Sequence, residues 1–171
     1  MRCGLIAAFD LDLGLGKEGR IPWSCSEDMR HFATRTRGSE ADKNAVIMGG
    51  RTWVSLGGKP LRGRLNIVVS STLPSADSYV LSNSLHSAIS LADDHGCTTA
   101  WIIGGTRLYS EAMKSGLCDF AETTVIPLSG NDCDTFFPLE DLAPMNVLKC
   151  QSLGGDLNPL LITWSRNRDC A

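Results

Sequence analysis

Histidine is scarce in this chain, with three in 171 residues, and the seven cysteines form no CxxC pair or His/Cys cluster. Zinc-ligand spacing is missing, so the sequence gives metal binding no support. The cysteines (Cys3, Cys25, Cys97, Cys118, Cys133, Cys150 and Cys170) are odd in number and scattered, and read as free thiols of a reducing cytosol. An excess of positive charge is also missing. Sixteen Lys and Arg stand against 19 Asp and Glu, a formal −3, which argues against a chain devoted to gripping nucleic-acid backbone. No apolar run approaches the roughly 18 residues that a membrane-spanning helix requires. Residues 1–9 meet Asp10 and Asp12 too soon for a signal peptide and read as a buried strand.

What is present is ordinary for a globular chain: 43% hydrophobic and 20% charged residues, with mean hydropathy of −0.03. A chain of this length reads as one domain, 1–171, that buries about 70% of its unfolded surface. Short apolar runs at 5–9, 45–48, 65–69, 100–103 and 120–126 read as strands. Helical patterns lie between them at 27–37, 84–95 and 107–114, with Gly96 and Gly116 as stops. The alternation predicts an α/β fold with a mostly parallel central sheet and flanking helices. Residues 147–150 and 160–164 read as an antiparallel pair at the C-terminal edge of the sheet, and 36–44 as a surface loop.

Two strands end in paired glycines that open helices: Met48-Gly49-Gly50-Arg51-Thr52 and Ile103-Gly104-Gly105-Thr106-Arg107. Glycine there lets a ligand approach the backbone, and a helix start offers N–H groups to an anion. A cation just inside a helix start opposes the macrodipole unless a phosphate sits nearby. Either motif alone is equally a tight βα turn. Their recurrence, each time with an arginine, points to a dinucleotide cradle, although neither is the GxGxxG fingerprint.

The stretch 14–28 is a long glycine-rich loop running into the first helix, as lids and binding loops do. Ser24 or Ser26 is a candidate helix cap. Phase separates the two acids that follow. Asp28 lies four residues before Phe32 and faces inward; Glu27 points roughly 140° away. An inward carboxylate beside Phe32 and Trp23 is a candidate functional acid.

At this point the chain resembles a known family. Ile6-Ala7-Ala8, Leu15-Gly16, Ile21-Pro22-Trp23, Asp28, Phe32, Val46-Ile47-Met48-Gly49, Thr52-Trp53, Gly63-Arg64-Leu65-Asn66, Ser70, Ile103-Gly104-Gly105 and Asp134-Thr135-Phe136-Phe137-Pro138 resemble dihydrofolate reductase, in order and over nearly the whole chain. The resemblance implies reduction of 7,8-dihydrofolate to 5,6,7,8-tetrahydrofolate, with NADPH as cofactor, in the cytoplasm. It implies antifolates such as methotrexate as ligands, and a monomer with no nucleic-acid or membrane partner.

The same resemblance implies roles. Asp28 would hold the pterin and promote protonation at N5, supported by Thr123, with Thr124 on the other face of the strand; Trp23 would order water. Ile6, Ala7, Met29, Phe32, Leu56, Leu61 and Ile103 would wall the substrate, and Arg64 would pair with its glutamate carboxylate. Ala8, Gly16, Lys17, Gly19, Arg20 and Ile21 would face nicotinamide and ribose. Gly104, Gly105, Thr106, Arg107 and Leu108 would follow the pyrophosphate, with Gly104 and Gly105 joined by a cis peptide and Tyr109 near the nicotinamide. Gly50, Arg51, Thr52, Ser70, Ser71 and Thr72 would meet the adenosine phosphates. Members commonly carry a basic residue where this chain has Gly50, which leaves Arg51 as the substitute. His31, His86 and His95 match no family site and receive no role.

Two other readings stand beside this one. A pyrimidine reductase of riboflavin synthesis shares the architecture and NADPH, but lacks the Trp23…Asp28…Phe32 pattern. A pterin- or nucleotide-binding module without catalysis is the second; an intact Asp28 argues against it.

Overall fold

A central parallel strand needs apolar residues on both faces, and the run Ala45–Met48 supplies them: all four side chains are fully buried. The computed structural model describes residues 1–39 and 41–166; Glu40 of the predicted 36–44 loop, and 167–171 with Cys170, lie outside the described residues. In chain order the elements are β1 (Arg2–Asp10), β2 (Gly14–Gly16), α1 (Ser26–Thr36), β3 (Asn44–Gly49), α2 (Gly50–Ser55), β4 (Leu65–Val69) and β5 (Val80–Ser82). There follow α3 (Leu85–Asp94), β6 (Thr99–Gly104), α4 (Thr106–Lys114), β7 (Phe120–Ile126), β8 (Thr135–Phe136), β9 (Met145–Ser152) and β10 (Leu160–Arg166).

Eight strands form one sheet in the order β5-β4-β3-β6-β1-β7-β10-β9, and β2 pairs with β8 separately. The pairs from β5 to β7 are parallel. Strand β10 runs antiparallel to both β7 and β9, so the expected C-terminal edge is there. The sequence reading missed β2, β5 and β8, each two or three residues long and too short to show a period.

The alternation of side chains along β1 divides the core. Leu5, Ala7 and Phe9 join Ile47 and Ile102 beneath α3 and α4, which contribute Leu85, Ala88, Leu108 and Met113. Ile6 faces the other way, with Val46, Met48, Trp101 and Phe120, against Trp53 and the half-buried Phe32. Truncating a fully buried isoleucine such as Ile47 to alanine would cost about 2–5 kcal/mol.

Helix α3 has the predicted stop, Gly96 at φ +71, and a cap that the sequence reading did not single out: Ser84 Oγ accepts from Ser87 N at 3.1 Å. Helix α1 departs from expectation. Its N-cap is Cys25, which makes no side-chain cap bond. Ser26 Oγ instead bonds Glu27 Oε1 at 3.0 Å.

Candidate active site

Because β3, β6 and β1 are parallel neighbours, their carboxyl ends deliver three loops to one edge of the sheet, where open α/β folds bind ligands. The two glycine turns meet there. A β-carbon on Gly49 would sit 3.9 Å from Gly104 O and from Gly105 N. The Gly104–Gly105 peptide is cis, as the resemblance implied. Gly104 has φ +128, and a β-carbon on it would come 3.3 Å from the Tyr109 hydroxyl oxygen and 3.4 Å from Thr52 Oγ1. Backbone is thus laid bare at the start of α4, a surface that fits the extended phosphates of a dinucleotide.

The residues expected to meet the adenosine phosphates come from the ends of β3 and β4. A β-carbon on Gly50 would lie 3.2 Å from Ser70 Oγ, so the missing side chain at 50 leaves room for that serine. Ser70 Oγ accepts from Thr72 N and Leu73 N, each at 3.2 Å, shaping the turn that carries exposed Ser71 and Thr72. Arg51 and Arg107 are exposed in the first turns of α2 and α4. Thr106 Oγ1 donates to Phe136 O at 2.7 Å, which ties α4 to β8. Leu108 is buried in the core, with Cδ1 3.9 Å from where a β-carbon on Gly49 would lie, so it packs under the glycine turns.

Asp28 starts on α1 and turns toward the sheet. Burial raises its carboxyl above the usual aspartate range, while Thr124 and His31 act in the opposite direction. Glu27 lies on the other side: it bonds Ser26, and a β-carbon on Gly155 would meet it at 2.0 Å. The phase argument from the sequence therefore holds. The expectation for Thr123 does not. Thr123 Oγ1 accepts from Trp164 Nε1 at 2.9 Å on the face opposite α1. The neighbour, Thr124, faces Asp28, because successive strand residues alternate. Its Oγ1 is buried and makes no well-formed hydrogen bond, yet it lies near enough to the Asp28 carboxyl to favour the charged form, so it keeps bonding capacity that a ligand amino group can use.

Alternation corrects Ala7 in the same way. Its side chain packs beneath α3 and α4, whereas Ile6 and Ala8 occupy the alternate positions on the α1 side. Tyr109 is 4% exposed, donates to Ile6 O at 3.0 Å, and lies beneath Gly104. Burial, reinforced by the Asp28 charge, raises its hydroxyl well above the usual range, so it is a fixed neutral donor rather than an acid.

Apolar side chains rim the cleft without filling it. Phe32, Leu61 and Ile103 are half-buried against the core, while Met29 and Ile21 are 56% and 59% exposed and Leu56 is exposed. Trp23 is half-buried. Arg64 Nη1 donates to Thr36 Oγ1 at 2.7 Å, and its guanidinium lies 5.8 Å from the Phe32 ring centroid. Desolvation and the neighbouring Arg37 push its pKa down. Among the described residues it has no acidic partner. A half-buried guanidinium beside a second arginine has the charge and donors to receive an anion.

The loop after β1 is tied down on one side. Asp10, 1% exposed, accepts from Gly14 N at 2.7 Å and from Asn131 Nδ2 at 2.8 Å. Glu18 N donates to Asp134 Oδ2 at 2.7 Å. Lys17 pairs with Asp132 at the surface, and this partner raises the lysine pKa. Gly16 is half-buried, and Gly19 takes φ +75 in the tip that leaves Arg20 exposed. The sequence reading missed Asp10 and Thr124. A carboxylate at a strand end before a glycine-rich loop was the available signal for the first; a second threonine in the same strand was the signal for the second.

Comparison with known proteins agrees with this geometry. A model of the dihydrofolate reductase family matches residues 2–156. The dihydrofolate reductase of Schistosoma mansoni is 42% identical over 149 residues, covering 82% of this chain and 80% of that protein. That of Drosophila melanogaster is 36% identical, with 81% and 80% covered. The structure of Enterococcus faecalis dihydrofolate reductase complexed with NADP(H) and RAB-propyl superposes with a TM-score of 0.84 at 26% identity, over 97% of this chain and 96% of that one. The chain belongs to the dihydrofolate reductase family.

Proposed function

We propose that the residues around Asp28 divide between them the family reaction, reduction of 7,8-dihydrofolate to 5,6,7,8-tetrahydrofolate by NADPH. The reduced nicotinamide supplies the hydride, two electrons and one hydrogen, to C6, and a solvent-derived proton adds to N5. Asp28 accepts hydrogen bonds from the pterin amino group and N3 and draws the proton toward N5. Thr124, in place of Thr123, gives the amino group its second partner. Trp23 orders the water that relays the proton.

Phe32, Met29, Leu56, Leu61, Ile6 and Ile103 exclude solvent from the ring, and Arg64 takes the glutamate carboxylate. Gly104, Gly105 and the α4 start hold the pyrophosphate; Arg51, Ser70, Ser71 and Thr72 meet the adenosine phosphate. Ala8, Gly16, Gly19, Arg20 and Ile21 close over the nicotinamide side. The reading includes one domain over 1–171, a cytoplasmic monomer and binding of antifolates such as methotrexate.

The observation that carries it is a raised, sheet-facing carboxyl beside a buried threonine hydroxyl that makes no well-formed hydrogen bond. The experiment mixes protein, NADPH and dihydrofolate and follows nicotinamide absorbance. Loss that methotrexate abolishes supports the reading; no loss, or loss that methotrexate leaves intact, overturns it.

A further inference from the structure

Behind Asp28, the face between α1 and β7 holds a second set of charges. His31 Nε2 lies 2.8 Å from Glu122 Oε2. Arg35 donates from Nε to Glu122 Oε1 at 2.8 Å, and its Nη2 lies 2.6 Å from the same oxygen. The Glu122 side chain is 5% exposed and that of His31 14%, so neither is a solvated surface group. His31 matches no family position, and helical periodicity alone could not place its partner.

Asp28, His31 and Arg35 stand at i, i+3 and i+7, one stripe of α1. Glu122 and Thr124 stand two apart on one face of β7. The stripe and the strand oppose each other in register: Thr124 faces Asp28, and Glu122 faces His31 and Arg35. Arg35 carries a fixed positive charge that neutralises Glu122. His31 holds Glu122 together with Arg35, and from one turn along α1 it also favours the Asp28 carboxylate.

The other groups on this face do not compete. Glu27 turns toward Ser26, and Tyr109 of α4 is a neutral donor to Ile6 O. Strand β1 presents Ile6 and Ala8. On β10, Thr163 pairs with Glu122, and the exposed Lys149 of β9 is next in that row.

We propose that His31, oriented by Glu122 and Arg35, is a positioning residue that sets the protonation of Asp28 and so the pH range of hydride transfer. This rests on the reading of Asp28 as organiser of the proton, and the test separates the two. The first measurement is the titration of the Asp28 carboxyl carbon by NMR in ligand-free protein. His31→Phe should move that titration upward by at least about 0.5 pH unit, because the carboxyl loses a neighbour that favours its charged form. His31→Lys, with a permanent charge, should leave it at or below the parent value.

The second measurement is the pH profile of single-turnover hydride transfer. Its alkaline limb should move upward by a similar amount in His31→Phe, with the low-pH rate kept. A purely structural role would scale the whole profile and leave its midpoint in place. Should His31→Phe not fold, His31→Gln, which keeps one bond to Glu122, carries the same comparison. An unchanged Asp28 titration in the neutral variant overturns the proposal. A shifted titration in a parent that reduces no dihydrofolate supports it and overturns the functional reading instead.

Discussion

Asp28 on α1 stands opposite Thr124 on β7, while Thr123, one residue earlier, serves Trp164 on the other side of the sheet. The two threonines are chemically identical and adjacent, so only the pleat distinguishes them. Opposite consequences are expected when each loses its hydroxyl. Thr124→Val removes a buried hydroxyl that makes no well-formed hydrogen bond and touches the free protein's polar groups only through Asp28, so stability should change by no more than about 1 kcal/mol. Folate affinity should fall by about tenfold. Thr123→Val leaves the Trp164 indole N–H unpaired and should cost about 1 kcal/mol, with kcat/KM unchanged. Thermal unfolding and binding titrations on both variants check this.

The glycine pair separates folding from cofactor binding. An alanine at 105 meets nothing closer than Thr52 Oγ1 at 3.7 Å and takes no strained φ, so Gly105→Ala should fold with a Tm near the parent's. Its methyl group lies where the phosphates approach, and NADPH affinity should drop by at least about tenfold. Gly104→Ala combines φ +128 with a 3.3 Å contact to the Tyr109 oxygen, and should lose stability as well. Parallel melting curves and NADPH titrations decide it.

Arg51 stands in the first turn of α2, beside the Gly50–Ser70 contact, as the nearest cation to the adenosine phosphate expected there. Its removal should weaken the preference for NADPH over NADH by about 1–2 kcal/mol. The readout is the ratio of kcat/KM for the two cofactors in the parent and in Arg51→Ala. An unchanged ratio would place recognition of the 2′-phosphate elsewhere.

Glu122 and Asp28 should make opposite contributions to the pH dependence of stability. His31 and Arg35 outweigh burial and hold Glu122 below its usual 4.5. That stabilisation is present above the unfolded value and is lost as pH falls through the folded one. Glu122→Gln should therefore cost about 1–3 kcal/mol at pH 7, with the cost disappearing in acid. Asp28, raised above its usual 3.8, contributes its stability below the unfolded value and loses it as pH rises through the folded one. Asp28→Asn should accordingly raise Tm at neutral pH and not in acid. Melting temperatures across pH check both signs.

Much of this architecture was legible because the strands are long enough to show their burial. The parallel core, the antiparallel edge, the extent of α3 and the inward phase of Asp28 all follow from periods of two and 3.6. The shortfalls have physical causes. Strands of two or three residues show no period, and the choice between Thr123 and Thr124 depends on which face of β7 lies toward α1. Local periodicity also cannot show that His31 meets Glu122, 91 positions away, or that Asp10 meets Asn131. Cys25 replaces the expected serine cap because α1 begins one residue earlier than the pattern suggested.

The most direct test of the account is single-turnover hydride transfer by the parent and by Asp28→Asn, measured from acid to neutral pH. The amide keeps the size of the carboxylate and part of its hydrogen bonding, but removes the charge that draws a proton toward N5. At neutral pH, kcat/KM should fall by at least about 10²-fold, and the deficit should shrink as pH is lowered and solvent protonates the substrate directly. A variant as active as the parent at neutral pH, or a deficit that is the same at every pH, would contradict the assignment of Asp28.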